Sequence, residues 1–449
     1  MEIDRVFTGP KITLEQVLDS RTRRVERQRA LLAEGVSCLV SFTLNIPGPV
    51  KQFPLARAAF SEGLALLQDT FGAAVQKAET IDEPTGSEGL LVLDADPADA
   101  KRKTAALEEG HPLGRLFDMD VLDEGGRSLS RTELSLSQRT CLLCGNSAKV
   151  CGRGRAHSLP ELQARIGAIL EAYFRDKWAD ACMAAAHRAM VEEVSTTPKP
   201  GLVDRNNSGS HTDMNFFTFM DSADALAPYF RRMYLFGWDS AFDSPAALFK
   251  RLRLLGQEAE SAMFAATHGV NTHKGLIFSM GLLSGALGAR QRQGDANLDA
   301  VLSLCAQMGQ RALADFSAPH PDTHGLRLYQ AHRLPGIRGE AAAGFPHARQ
   351  GLAVLRKWIR SGLSLNDAGT LTLLELIATV TDTNMIRRGG LDVARARQDE
   401  ARALLSRVTP ETLHQELLSL DQAYISANLS PGGSADLLAL SLFLVFIEG

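Results

Sequence analysis

Asp118 and Asp120, in the stretch Gly114-Arg-Leu-Phe-Asp-Met-Asp-Val121, are the first side chains whose spacing suggests chemistry. Alternate residues of a strand project from one face, so a strand here presents both carboxylates together. Such a pair suits Mg²⁺, which proteins usually hold with one or two carboxylates plus substrate phosphates. Two solvated acids at a strand end would read the same way, because Asp-x-Asp alone is a weak pattern. Arg115, in the same stretch, is a candidate substrate ligand. Further on, Cys141-Leu-Leu-Cys144 is followed by Cys151, Arg153, Arg155 and His157. Three cysteines and a histidine form a tetrahedral Zn²⁺ ligand set, although the spacing is irregular for fingers and ribbons. A CxxC pair can also be redox-active, and three thiols can simply be buried. Arg153 and Arg155 suit bidentate phosphate binding, and His157 suits a general base. The phosphate-and-base reading is preferred here, with zinc as the structural alternative.

The second half holds five polar blocks. They are Thr197–Met214, Gly269–Gly275, Gly336–Glu340, Asp382–Gly390 and Ser430–Asp436. A structural loop needs glycine and proline, but not a basic residue and a carboxylate beside them each time. Glycine-rich turns that open helices offer backbone N–H groups to anions. Lys199, Lys274, Arg338 and Arg388 are candidate phosphate ligands, with Asn271, His273 and Ser434 beside them. Asp213, Glu340, Asp382 and Asp436 are candidates for Mg²⁺ or for acid–base work, Asp382 being the one assigned to metal. Helix capping explains any single block, with Ser434 and Asp392 as plausible caps, but it explains five together poorly. No GxxxxGK[ST] loop occurs.

The elements that must position these groups change texture near residue 175. Before it, strand patterns (38–44, 89–94, 116–122) alternate with helical ones (55–70, 97–109 and again after His157), which predicts an α+β domain. After it, nine helical periods are legible: 178–194, 246–265, 274–292, 298–313, 351–361, 367–379, 392–405, 410–418 and 434–446. The polar blocks fall between them, the plan of an all-α domain with its site on loops and helix ends. A helix over 160–177 joins the halves.

The chain has 449 residues, 45% hydrophobic and 22% charged, which fits two soluble globular domains. The net charge of −4 argues against a nucleic-acid partner. The N-terminus lacks an apolar signal core, and the apolar run 437–447 is too short to span a bilayer and reads as a buried helix. Six cysteines without secretion point to a reducing compartment, hence the cytoplasm.

Residues 178–449 resemble the triphosphoribosyl-dephospho-CoA synthase family, through PKPGLVDRNNSGSHTDM, GVNTHKG, GIRGEAAAGFP, DTNMIRRGG and SPGGSADLLA in order. Residues 11–175 resemble the citrate lyase holo-acyl-carrier-protein synthase family, the apo-citrate lyase phosphoribosyl-dephospho-CoA transferases. The likeness rests on LVSFTLNIPGPVK, HPLGRLFDMDVL and CLLC followed by Cys151, Arg153, Arg155 and His157. Ser210 and Thr212 around His211, and His332 where a tyrosine is common, depart from the synthase pattern. The resemblance implies a bifunctional enzyme with a nucleotidyltransferase-like N-terminal domain (1–175) and an all-α synthase domain (176–449). It implies that the 2′-hydroxyl of dephospho-CoA displaces adenine from ATP. A serine of the citrate lyase acyl carrier protein, its gamma subunit, then displaces pyrophosphate from the product. Mg²⁺ is the implied cofactor. Three alternatives remain open: the same chemistry serving malonate decarboxylase, a helical phosphohydrolase with metals on His211, Asp213, His268, His273 and Asp382, and a non-catalytic assembly chaperone. The N-terminal motifs weigh against the first.

Overall fold

The computed structural model describes residues 6–314 and 324–448, without the side chains of 324 and 325. It divides into two compact units, Met1–Asp176 and Lys177–Gly449.

The first unit is built on one antiparallel sheet in the order β2-β3-β1-β4. Its strands are β1 (Cys38–Leu44), β2 (Val75–Glu83), β3 (Gly86–Leu93) and β4 (Phe117–Asp123). Its helices are α1 (Leu14–Leu32), α2 (Pro54–Phe71), α3 (Pro97–Gly110) and a short α4 (Ala148–Gly154). One sheet face is apolar. Val40, Phe42, Leu91, Phe117, Met119 and Val121 are buried there. Phe42 stacks on Phe60 of α2 at 5.0 Å. Gly63 allows that approach, since a Cβ there would lie 2.4 Å from the Phe42 ring. On the opposite face Leu39, Leu90, Val92 and Leu122 pack with Leu31 of α1. Edge strand β4 is closed by α3: Lys101 donates to the Met119 carbonyl at 2.9 Å, and the Met119 N–H donates to Glu108 at 2.9 Å.

The sequence reading missed α1 and β2. The first is a surface helix opened by a Thr13–Gln16 capping box. The second is an outer strand with no residue fully buried, so neither shows a clean hydrophobic period.

Helix α5 (Leu159–Ser195) carries the chain through the division between the units, longer than the 160–177 and 178–194 pieces read separately. The second unit then continues with α6 (Phe216–Asp239), α7 (Pro245–Ala266), α8 (Lys274–Gln293), α9 (Leu298–Leu313) and α10 (His324–His332). Next come α11 (Gly336–Ala342), α12 (Pro346–Arg360), α13 (Leu365–Thr379), α14 (Thr383–Gly389), α15 (Leu391–Leu405), α16 (Pro410–Ser426) and α17 (Gly432–Glu448). α6 escaped the sequence reading because Pro228 and its aromatic residues interrupt the period. Two polar blocks expected as interruptions are themselves the short helices α11 and α14. Asp392 lies in the first turn of α15 but does not cap it; Gly390 holds that position. The apolar run 437–447 lies in α17, whose residues Leu437 to Leu444 are buried. Among the described residues no helix is long and apolar enough to cross a membrane.

α6 and α8 meet backbone to backbone. A Cβ on Gly237 would lie 1.9 Å from the Gly285 carbonyl oxygen. Gly237→Ala should therefore cost about 1–3 kcal/mol of stability through overpacking, against its gain in helix propensity. A lowered melting temperature checks this; an unchanged one would mean the helices can part cheaply.

Candidate functional site

In the second unit all five polar blocks converge on one cavity of about 1000 Å³. Of the candidates, Lys199, Asp213, Asn271, His273, Lys274, Glu340, Asp382, Arg388 and Asp436 line it. Arg338 and Ser434 are not among its lining residues. Turn chemistry brings the blocks together. Asp204, buried in the first block, accepts hydrogen bonds from the N–H groups of Lys199, Asn206 and Asn207 and from the Thr197 hydroxyl. Gly201 has φ +66°, and a Cβ there would lie 2.2 Å from the Leu429 carbonyl oxygen, so only glycine fits.

Several expected phosphate ligands already have protein partners. Lys199 is buried, and its Nζ pairs with Glu193 and donates to the Glu193 carbonyl at 2.8 Å. Lys274 is ion-paired with Glu260. Asn271 accepts from the Lys274 N–H at 3.2 Å, at the start of α8. Arg388 donates to the Ser210 carbonyl at 2.9 Å and to Asn428 Oδ1 at 2.8 Å, leaving its second nitrogen near His211. These groups shape the cavity and hold its charge, and are less available as phosphate clamps than their types suggested.

The metal assignment of Asp382 needs correction. One of its carboxylate oxygens accepts from the N–H groups of Asn384 and Met385 at 2.8 and 3.2 Å. The other accepts from the Ser434 N–H and hydroxyl at 2.8 and 3.1 Å. Four donors fill the four lone-pair sites of a carboxylate, so Asp382 caps α14 and ties it to α17. Ser434 is its buried partner; it neither caps α17 nor lines the cavity. Nor do metal ligands converge as the phosphohydrolase alternative requires. Among the described residues no three of the cavity's histidine and acid side chains gather closely enough to share a metal.

Three groups remain chemically distinctive. Asp436 lines the cavity and accepts no hydrogen bond from a described residue. Burial, then the charges of Glu193 and Asp382, push its carboxyl well above the usual range. Glu340 receives the His347 N–H at 2.8 Å and pairs with His347 Nδ1 at 2.8 Å. That bond raises the His347 pKa despite its partial burial. His273 is buried, shares a hydrogen bond with Ser222 through Nδ1 at 2.7 Å, and has no partner at Nε2. Burial lowers its pKa to about 3, so it is a neutral imidazole. His211, beside Ser430 at 3.0 Å, is also lowered, by burial and then by Arg388.

In the first unit Thr43 pairs with Asp118 and Ser41 with Asp120 across β1 and β4, so all four project from the face toward α1. Asp118 lines a smaller cavity, about 150 Å³, with Arg21, Arg24, Asn45, Lys51 and Ser87. Its carboxyl is raised by burial and then by Asp120, while Arg139, 3.5 Å away, opposes the shift. Arg115 instead donates to the Thr140 carbonyl. Arg153 and Arg155 are exposed and line neither cavity. Cys141, Cys144, Cys151 and His157 form one cluster with ligand atoms all within 4.8 Å. That arrangement favours the zinc alternative over His157 as a base.

Sequence reasoning missed Glu193, Arg387 and His347 around the large cavity, and Arg21, Arg24 and Lys51 around the small one. Glu193 did leave a signal: it shares a helix face with the apolar Ala186, Ala189 and Met190, all buried. Lys51 closes the LNIPGPVK motif, but its proximity to Asp118 is tertiary.

The family model for CitG, ATP:dephospho-CoA triphosphoribosyl transferase, matches residues 179–449. That for CitX, apo-citrate lyase phosphoribosyl-dephospho-CoA transferase, matches residues 12–173. The chain is 38% identical to Protein CitXG of Haemophilus influenzae, over 98% of this chain and 97% of that one. It is 35% identical to Protein CitXG of Leuconostoc mesenteroides subsp. cremoris, over 98% of each. The 2-(5''-triphosphoribosyl)-3'-dephosphocoenzyme-A synthase of Haemophilus ducreyi is 36% identical over 68% of this chain and 98% of its own length.

Proposed function

Because the chain belongs to the family that fuses CitX with CitG, we propose that its two cavities are the sites of the two successive transfers. The protein is a bifunctional transferase that makes the citrate lyase prosthetic group and attaches it to the acyl carrier protein. The observation that carries the assignment of sites is the convergence of all five synthase motifs on one cavity. Its size is at the upper end for ligand pockets, about 300–1,000 Å³, which suits two nucleotide substrates together.

In this reading ATP and dephospho-CoA meet in the large cavity. The ribose 2′-hydroxyl of dephospho-CoA attacks the anomeric carbon of ATP and adenine leaves. Such a displacement needs a base for the hydroxyl and an acid for the departing purine, as glycoside cleavage does. Asp436, with its raised pKa and free oxygens, is the base. His347, whose protonated form Glu340 favours, is the acid. His273 offers Nε2 as a buried polar contact for substrate.

The small cavity then receives the triphosphate between Arg21, Arg24 and Lys51 on one side and Asp118 on the other. Asp118 and Asp120 would hold Mg²⁺, which neutralises charge on a pyrophosphate leaving group. The nucleotidyltransferase-like reading of this unit rests on that pairing of acids with basic residues. The citrate lyase acyl carrier protein, its gamma subunit, is the proposed partner and the cytoplasm the proposed location. The CitX match favours citrate lyase over malonate decarboxylase.

The test is to incubate the protein with ATP, dephospho-CoA and Mg²⁺ and assay free adenine, then to add apo acyl carrier protein and assay its mass. Phosphate released without adenine would favour a phosphohydrolase, and no nucleotide binding would favour a chaperone. His347→Gln should lower adenine release by about 10²–10⁴-fold, the usual worth of a positioned acid. The wild-type rate should fall as pH rises through the raised His347 pKa, and the variant should lack that alkaline limb. An unchanged limb removes His347 from this role.

A further inference from the structure

The segment 124–158 has almost no core of its own. Among its 35 residues only Leu129 and Cys151 are buried, and its regular structure is a single 3₁₀ turn and the seven-residue α4. Such a stretch buries too little apolar surface to offset its ordering entropy and calls for a cross-link. All six cysteines are free thiols, so no disulfide supplies one.

The segment nonetheless folds around one point. Thr140 and Ser147 form a bridge, the Cys141 N–H donates to the Asn146 carbonyl at 2.6 Å, and the Leu143 N–H donates to Cys141 Sγ at 3.4 Å. This turn places Cys141 and Cys144 side by side. α4 adds Cys151, and Arg155, in the left-handed region at φ 46°, ends it and turns the chain back to His157. Cys144 Sγ lies 3.5 Å from Cys151 Sγ and 3.4 Å from His157 Nε2. Zinc–sulfur bonds of about 2.3 Å and zinc–nitrogen bonds of about 2.0–2.1 Å, set tetrahedrally, separate ligand atoms by roughly 3.5–3.8 Å. These two edges therefore already have about the length of those of a zinc tetrahedron, and all four ligand atoms lie within 4.8 Å of one another.

We propose that Cys141, Cys144, Cys151 and His157 bind one structural Zn²⁺ through three thiolates and the imidazole Nε2. The thiols give up their protons on binding. All four positions are taken by protein, so the site has no open position for catalysis. The closed loop holds Arg139 at its start, where Arg139 donates to the Phe117 carbonyl at 2.7 Å and lies 3.5 Å from Asp118. The zinc knot thus acts as a positioning device for the strand end that carries Asp118.

The test needs no activity. The full chain, purified without added metal, should carry one zinc per molecule by elemental analysis. Cys144→Ser and His157→Gln should each lose it. Cobalt substitution should give intense thiolate-to-cobalt absorption in the wild type that is absent from Cys144→Ser. Chelation should speed proteolytic cleavage within 124–158, while the Cys144→Ser variant still releases adenine at the wild-type rate. Metal-free protein would overturn the proposal. So would zinc retained at one per chain in both variants, or two fewer titratable thiols in the unreduced, denatured chain, which would reveal a disulfide. Zinc content is read directly, so a failure of the two-transfer reading would not by itself count against the zinc site.

Discussion

Asp118→Asn should stop labelling of the acyl carrier protein while adenine release continues at the wild-type rate, so that triphosphoribosyl-dephospho-CoA accumulates. The substitution keeps volume and removes one charge. Asp118 sits on edge strand β4, with Asp120 on the same face and Arg139 at 3.5 Å. Its side chain is half exposed, and desolvation and then Asp120 raise its carboxyl, so the fold does not depend on that charge and should tolerate its loss. Opposite lie Arg21, Arg24 and Lys51, whose charges suit a triphosphate. The acid is then needed for the reaction and not for the fold. Removing one group that stabilises charge in a transition state costs on the order of 10²–10³ in rate. Carrier-protein mass spectrometry and adenine chromatography on one reaction mixture read both steps. Labelling at the wild-type rate in saturating Mg²⁺ would make the pair structural. A matching fall in adenine release would mean that the two sites are not independent.

How much of this was legible in the sequence differs between the units. Strand β1 was readable to the residue because Cys38–Leu44 is a mostly apolar run, buried through Phe42 and followed by Pro47 and Pro49. The one-face placement of Asp118 and Asp120 follows from strand period alone, and their exposed–buried alternation along β4 agrees with it. The basic side of the small cavity was hidden. Arg21 and Arg24 belong to a solvent-facing helix, and only its packing over the β1–β4 face brings them to Asp118. In the second unit the motifs marked which segments meet, but not how each side chain is used. Asp382 looks like a metal ligand in sequence. Its four donors come partly from Ser434, 52 residues away, a pairing no local pattern encodes. Lys199 and Lys274 also look like phosphate ligands, but Glu193 reaches Lys199 from the end of the preceding helix and Glu260 reaches Lys274 from α7. Charge type is local information, whereas which partner a charge finds depends on how the chain turns and packs.

Asp436→Asn should abolish the first reaction and spare the second. Adenine release should fall by about 10²–10⁴-fold if the carboxylate takes the 2′-hydroxyl proton. Transfer from supplied triphosphoribosyl-dephospho-CoA should be unchanged. The pH profile gives a second readout. A raised carboxyl pKa means that the base form is lost as pH falls through that value, so the wild type should show an acid limb that the asparagine variant lacks. With the alkaline limb assigned to His347, the wild-type profile should be bell-shaped. The structure supplies an independent way to disturb the same group. A Cβ on Gly275 would lie 2.2 Å from Asp436 Oδ2, so Gly275→Ala must displace the carboxylate. Alanine is the better helix former by about 1 kcal/mol, and Gly275 lies in the first turn of α8, so the fold should survive the change. A displacement near 1 Å can cost about 10²-fold in rate. The two substitutions strike one interaction, so the double variant should be little worse than Asp436→Asn alone. Additive losses would show that Gly275 serves the backbone approach of a substrate instead. Near-normal adenine release in Asp436→Asn would remove the base from this cavity wall altogether.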